Sequence, residues 1–132
     1  MSEQEITRRE ALQLSVDLGE QAERERRTPY ALYVVFELRS HAAAEAFDQL
    51  VAEALIGIGD ETGTLVYTVH TPEEQPLTRV FYELYADRDA FVEHERQPHT
   101  RRMLREREQY LAAPPKVVFL HQHMGKLPHG PL

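Results

Sequence analysis

The sequence predicts an α+β fold whose core elements run β-α-β-β-α-β. Three observations carry that prediction. Four short segments, opening at Tyr30, Gly63, Thr78 and Lys116, are dense in β-branched and aromatic residues, the composition that fits a pleated, half-buried surface. The stretches after the first and the third of them read as helices. Proline and glycine punctuate the joints, and the one between the second and third segments, Thr71–Pro76, is short and holds two prolines, as a hairpin turn requires.

Residues 1–29 precede this pattern and are rich in Glu and Arg. Ala11, Leu14, Leu18 and Ala22 recur at helical spacing, whereas Leu12, Leu14, Val16 and Leu18 alternate as a strand would. The surrounding Ala, Glu, Gln and Arg favour the helix, and Pro29 ends it. The segment is expected to be a charged helical arm outside the core. Tyr30–Leu38 reads as a well-buried strand. Ser40 is a candidate N-cap for a helix whose Ala44, Phe47, Val51, Ala54, Leu55 and Ile58 share one face, and Gly57–Asp60 closes it. Gly63–His70 and Thr78–Ala86 are the hairpin strands. Asp87 caps a short helix over 89–95, Pro98 opens a longer one through Tyr110, and Pro114 and Pro115 break it. Lys116–His123 is the fourth strand. The core domain is thus expected over 30–124, with a turn-like tail at 125–132. This order is the split β-α-β, or ferredoxin-like, arrangement, an antiparallel sheet with helices on one face. Strand residues such as Tyr33 and Val35, or Leu65, Tyr67 and Val69, leave both sheet faces partly apolar, so a second copy of the chain is the expected cover for the helix-free face.

Composition narrows the function. The chain of 132 residues has 15 Lys and Arg against 22 Asp and Glu, a net charge of −7. That balance opposes binding to a phosphate backbone, so no nucleic-acid partner is expected. The absence of cysteine excludes thiolate nucleophiles, zinc ribbons and Fe–S clusters. No apolar run approaches the ~20 residues that span a bilayer, and the opening MSEQEITRRE lacks the apolar stretch of a secretory signal. No membrane partner and a cytoplasmic location are expected. Nucleophile elbows, phosphate-binding loops and dinucleotide fingerprints are missing from the sequence as well.

Several motifs stand in a recognisable order. Gly63–Tyr67 is GTLVY, Phe81–Tyr85 is FYELY, Asp89–His94 is DAFVEH, and Gln97–His99 is QPH. Together they resemble the antibiotic biosynthesis monooxygenase family of the dimeric α+β-barrel superfamily: its glycine–strand–tyrosine, its E-x-W strand, its A-x-x-x-H helix and its S-x-H. The resemblance spans Tyr30 to His123. It implies homodimers with a small cavity between sheet and helices. It also implies oxidation of quinols, anthrones or related polyketide aromatics by molecular oxygen with no metal or flavin, so that the partners are a small aromatic substrate and oxygen and the cofactor is none. A haem-degrading branch uses Asn, Trp and His. Here Tyr85 stands at the Trp position and the chain has no Asn, which disfavours that branch. Other members have no demonstrated chemistry, so the alternative is a non-catalytic, small-molecule-binding dimer.

Cofactor-free oxygenation makes the substrate itself the electron donor. The protein must supply a base, a donor for the resulting oxyanion and a dry pocket. His94 is the expected base, because imidazole titrates near neutral pH and this one lies one turn from Ala90 and Phe91. Tyr67 and Tyr85, on adjacent strands, are expected to hold and polarise the substrate. Tyr67 would share a face with Leu65 and Val69, and Tyr85 with Glu83 and Phe81. Glu83, His99, Phe91 and Phe81 complete the expected binding set. Glu83, mid-strand, needs a partner. Arg79 lies about 13 Å along the strand, so Arg39 or the second subunit is the better candidate. His121 and His123 share a strand face and could offer two imidazoles to a metal, but without an anchored third ligand no metal site is assigned. The charged run from Arg101 to Glu108 reads as a solvated helix face with i,i+4 pairs.

Overall fold

In the computed structural model, which describes residues 7–127, the core is a four-stranded antiparallel sheet with helices packed on one face. The chain runs α1 (Arg8–Arg27), β1 (Tyr30–Glu37), α2 (His41–Ile58), β2 (Thr64–His70), β3 (Thr78–Tyr85), α3 (Arg88–Arg96), α4 (Pro98–Glu106), a 3-10 turn (Arg107–Tyr110) and β4 (Lys116–His121). The strand order β2-β3-β1-β4 is the ferredoxin-like order expected from the sequence. Expectations for residues 1–6 and for 128–132 of the tail lie outside the described residues. Among those described, no helix is long and apolar enough to cross a membrane.

Local chemistry sets the element ends. Thr7 and Glu10 form a reciprocal capping box, each side chain accepting from the other's backbone N–H at 3.1 and 3.0 Å. This fixes α1 as a helix and resolves the conflict between its two periodicities. All its described side chains are exposed, so the alternating Leu and Val meet no sheet that would reward a strand. Ser40 and Asp87 cap α2 and α3 by accepting from the N–H of Ala43 and Ala90. The long helix expected through Tyr110 stops at Glu106 and tightens into the 3-10 turn. The fourth strand ends at His121, two residues before His123.

The core lies between the sheet and α2. Phe36, Phe47 and Phe81 are fully buried and meet in tilted and edge-on pairs, with ring centroids 4.9–5.9 Å apart. Edge-to-face pairs add about 1 kcal/mol each beyond area burial. Strand pairing fixes which residues share this face. Leu32 lies opposite Glu83, Val34 opposite Phe81, and Phe119 and Val117 opposite Leu32 and Val34 on the other side. One irregularity matters for the site. A bulge between Thr64 and Val66 inserts Leu65 as an extra residue, which sets Tyr67 opposite Glu83 and Val69 opposite Phe81. Tyr67 therefore shares its face with Val69 as expected, while Leu65 sits at the bulge and stays exposed. The opposite sheet face presents Tyr33, Val35, Val66, Val80, Tyr82, Val118 and Leu120, all half-buried.

Candidate active site

The loop between α2 and β2 carries Glu61, a residue to which the sequence reading gave no role. Its carboxylate gathers three donors. Oε1 accepts from the Thr64 hydroxyl at 2.7 Å and from His94 Nδ1 at 2.7 Å, and Oε2 accepts from His99 Nε2 in a short hydrogen bond. Burial alone would raise the Glu61 pKa, but the bonds from Thr64, His99 and His94 outweigh it and hold the carboxyl below its usual range. An ionised Glu61 orients His94 with Nδ1–H toward it, which leaves Nε2 as the free acceptor. The only sequence signal for Glu61 was its place in a glycine-bounded loop; nothing along the chain links it to histidines more than thirty residues away.

Two glycines allow this approach. A Cβ on Gly63 would stand 2.6 Å from the Ala90 Cβ, and a Cβ on Gly57 would strike the His99 ring. Gly63 thus lets α3 lie close against the start of β2, and Gly57 lets His99 pack against α2. The motif pair of Gly63 and A-x-x-x-H has a steric meaning here: it brings His94 within reach of Glu61.

Beyond His94 lies the sheet. The His94 side chain is only 5% exposed, its ring packs at 5.7 Å on Tyr67 and 5.3 Å on Tyr85, and Nε2 lies 3.9 Å from Glu83 Oε1. The Tyr85 hydroxyl donates to the same Glu83 oxygen at 2.5 Å. Burial pushes the Glu83 carboxyl up to about 7, with Tyr85 partly opposing it. Burial, and then the Glu83 charge, also hold the Tyr67 and Tyr85 phenols well above their usual range.

A cavity of about 240 Å³ opens on this constellation. Tyr67 and Glu83 of the sheet, Phe91 and His94 of α3, and Thr100 and Met103 of α4 are on its wall. Val117 and Phe119 of the edge strand β4 also line it and are 44% and 52% exposed, so the apolar lining reaches the surface there. A cavity of about 150 Å³ takes benzene, so this one has room for a fused pair of rings. Among the described residues the Tyr67 hydroxyl donates to the Met103 sulfur, at 4.0 Å, a weak acceptor that a ligand oxygen would replace.

The structure therefore brings Tyr67, Glu83, Phe91 and His94 together on one wall. It corrects several expectations. Tyr85 is fully buried behind the wall with its hydroxyl committed to Glu83, and Phe81 is fully buried in the aromatic core, so neither lines the cavity. His99 does not line the cavity; it bonds the other oxygen of the Glu61 carboxylate that holds His94. The partner of Glu83 is Tyr85, with His94 nearby, and not Arg39; Arg79 is bound bidentately by Asp48 at 2.9 and 3.0 Å. The run from Arg101 to Glu108 is only partly a solvated face. Arg102 pairs with Glu106 and Glu53, but Arg107 turns inward and lines the cavity. His121 and His123 flank a separate surface hollow with Tyr30 and Arg88. Among the described residues no group of three or more His, Asp or Glu is placed to hold a metal ion.

The family model for antibiotic biosynthesis monooxygenase matches residues 29–106. Among solved structures, Rv0793 from Mycobacterium tuberculosis is 25% identical, with 70% of this chain and 93% of that one covered at a TM-score of 0.66. PA3566 from Pseudomonas aeruginosa is 22% identical, with 74% and 97% covered at 0.66. A conserved protein from Methanosarcina mazei Go1 is 14% identical, with 76% and 99% covered at 0.69. No curated protein matches the chain.

Proposed function

The chain belongs to the antibiotic biosynthesis monooxygenase family, and from that premise we propose that it oxidises a quinol-like or polyketide-like aromatic with molecular oxygen, without metal or flavin. The observation that carries this reading is His94 on the cavity wall, bonded through Nδ1 to Glu61. Glu61 holds the imidazole with Nε2 turned toward Glu83, and the Tyr67 ring packs on it with a hydroxyl whose acceptor is the weak Met103 sulfur. His94 is the base, Glu61 its positioning residue, and Tyr67 the donor to the oxyanion that deprotonation creates. The buried apolar residues Leu32 and Val34 of β1 on the cavity wall favour a poorly solvated anion and hence a better reductant. With an anthrone, His94 takes a proton from the ring CH₂ and the carbanion adds oxygen. The peroxide then loses water to leave a carbonyl, and all four electrons come from the substrate carbon. With a hydroquinone, two electrons and two protons pass to oxygen, giving quinone and hydrogen peroxide.

Dimerisation belongs to the same reading. The half-buried Tyr33, Val35, Val80 and Tyr82 lie together on the helix-free face, and a second copy would cover them.

Oxygen uptake with a panel of hydroquinones and anthrones, in chelator and with or without catalase, tests the proposal. Protein-dependent uptake that survives chelation is expected. It should fall at least about a hundred-fold in His94→Ala and about ten-fold in Glu61→Gln, the scale of lost general-base catalysis. Full activity in His94→Ala would remove the base assignment. Binding of these aromatics without any uptake would favour the non-catalytic binding dimer.

A further inference from the structure

Arg107 has no role in the mechanism above, yet it is the least satisfied charge on the cavity wall. As α4 tightens into the 3-10 turn, its guanidinium comes to lie over the Phe36 ring, 5.1 Å from the centroid. Its Nε is enclosed and has no hydrogen-bond partner, and among the described residues Arg107 forms no ion pair. The neighbouring Glu106 is already taken by Arg102. Of the nearest carboxylates, Glu83 and Glu95 line the same cavity and Glu108 follows in the chain, but none is bonded to it. These charges act on the guanidinium from a distance, but a buried guanidinium is costly unless it is also hydrogen-bonded, and an orphaned buried donor calls for a partner. The guanidinium fork fits a planar oxyanion better than any other group.

We propose that Arg107 is a specificity residue, which binds a planar oxyanion carried by the aromatic ligand of this cavity, a ring carboxylate or an ionised ring hydroxyl. The proposal rests on the reading of this cavity as the substrate site but not on turnover. Arg107 lines the same cavity as Tyr67, Glu83 and His94. The ligand is thereby oriented with its anionic edge toward the end of α4 and its reacting edge toward His94.

The test is equilibrium binding by calorimetry under nitrogen, so that no oxidation intervenes. The probes are 2-naphthoate and its neutral match 2-naphthamide. Native protein is expected to bind naphthoate at least about ten-fold more tightly. Arg107→Gln, shown by melting to be folded, should abolish that preference, and Arg107→Lys should keep part of it, because the charge stays while the fork is lost. Should Arg107→Gln fail to fold, Arg107→Lys decides: a several-fold loss for naphthoate with naphthamide unchanged supports the proposal, and equal losses overturn it. Equal affinities in native protein, no binding of either probe, or a preference that survives Arg107→Gln also overturn it. A 2-naphthol arm identifies the source of the oxyanion, since tighter binding as the probe ionises would assign the ring hydroxyl. Failure of the oxygen-uptake assay would leave this charge preference intact, and failure of the preference would leave oxygen uptake standing, so the two results separate.

Discussion

At the scale of single residues, the site is built from acids and histidines that restrain one another. Glu61 is held ionised by three donors, whereas Glu83, with one donor and deep burial, is pushed up to about 7 from an ordinary 4.5. Because the folded pKa is the higher one, the fold favours protonated Glu83. Its contribution to stability is fully present below pH about 4.5 and is lost as pH rises through about 7. A glutamine in place of Glu83 has no proton to lose and can still accept from Tyr85. Glu83→Gln should therefore gain stability over the native protein by up to about 3 kcal/mol between pH ~5 and pH ~8. Thermal melts across that range check it; a constant difference would mean that the Glu83 proton is not linked to folding. His94 and Tyr67 were legible in the sequence because a histidine on a short helix and a tyrosine in a strand have few roles to choose among. Glu61 and Arg107 were not legible, since a loop carboxylate and an arginine in a charged run look solvated until the fold encloses them.

At the scale of elements, the local rules held where the chain's own backbone decides the outcome. The caps at Ser40 and Asp87 and the proline at the start of α4 stand where the sequence put them. The rules fell short where two elements meet. The bulge at Leu65 follows from the way β2 pairs with β3, and it chooses the face that Tyr67 presents. The Gly63–Ala90 contact sets how closely α3 can approach β2. Gly63→Ala should cost about 1–3 kcal/mol by overpacking and loosen His94 from Glu61. Adding Ala90→Gly should recover most of that loss. Melting temperatures of the single and double variants form a double-mutant cycle, and strictly additive effects would show that the contact does not govern the approach.

For the whole molecule, the question is what lies against the helix-free sheet face. If a second copy packs there, the native protein should sediment as a dimer, and Tyr33→Glu, which places a charge opposite Tyr82 and Val118, should shift it to monomer. Analytical ultracentrifugation reads both. A native monomer at micromolar concentration would exclude the sheet-to-sheet dimer. The helix α1 contributes little to the core, since its described side chains, Leu12 and Leu18 among them, remain exposed.

The sequence by itself determined the order of elements, their caps and breaks, the family, and the identity of a histidine, a tyrosine and a strand carboxylate of the cavity wall. These follow from periodicity and local backbone preference, which act over a few residues. Only the tertiary structure decided that Glu61 bridges His94 and His99, that Tyr85 and Phe81 stand behind the wall, and that Arg107 faces inward with its Nε unbonded among the described residues. Those facts depend on which distant segments share a dielectric and a hydrogen bond, and contacts between segments far apart in the chain leave no periodic trace in the sequence that makes them.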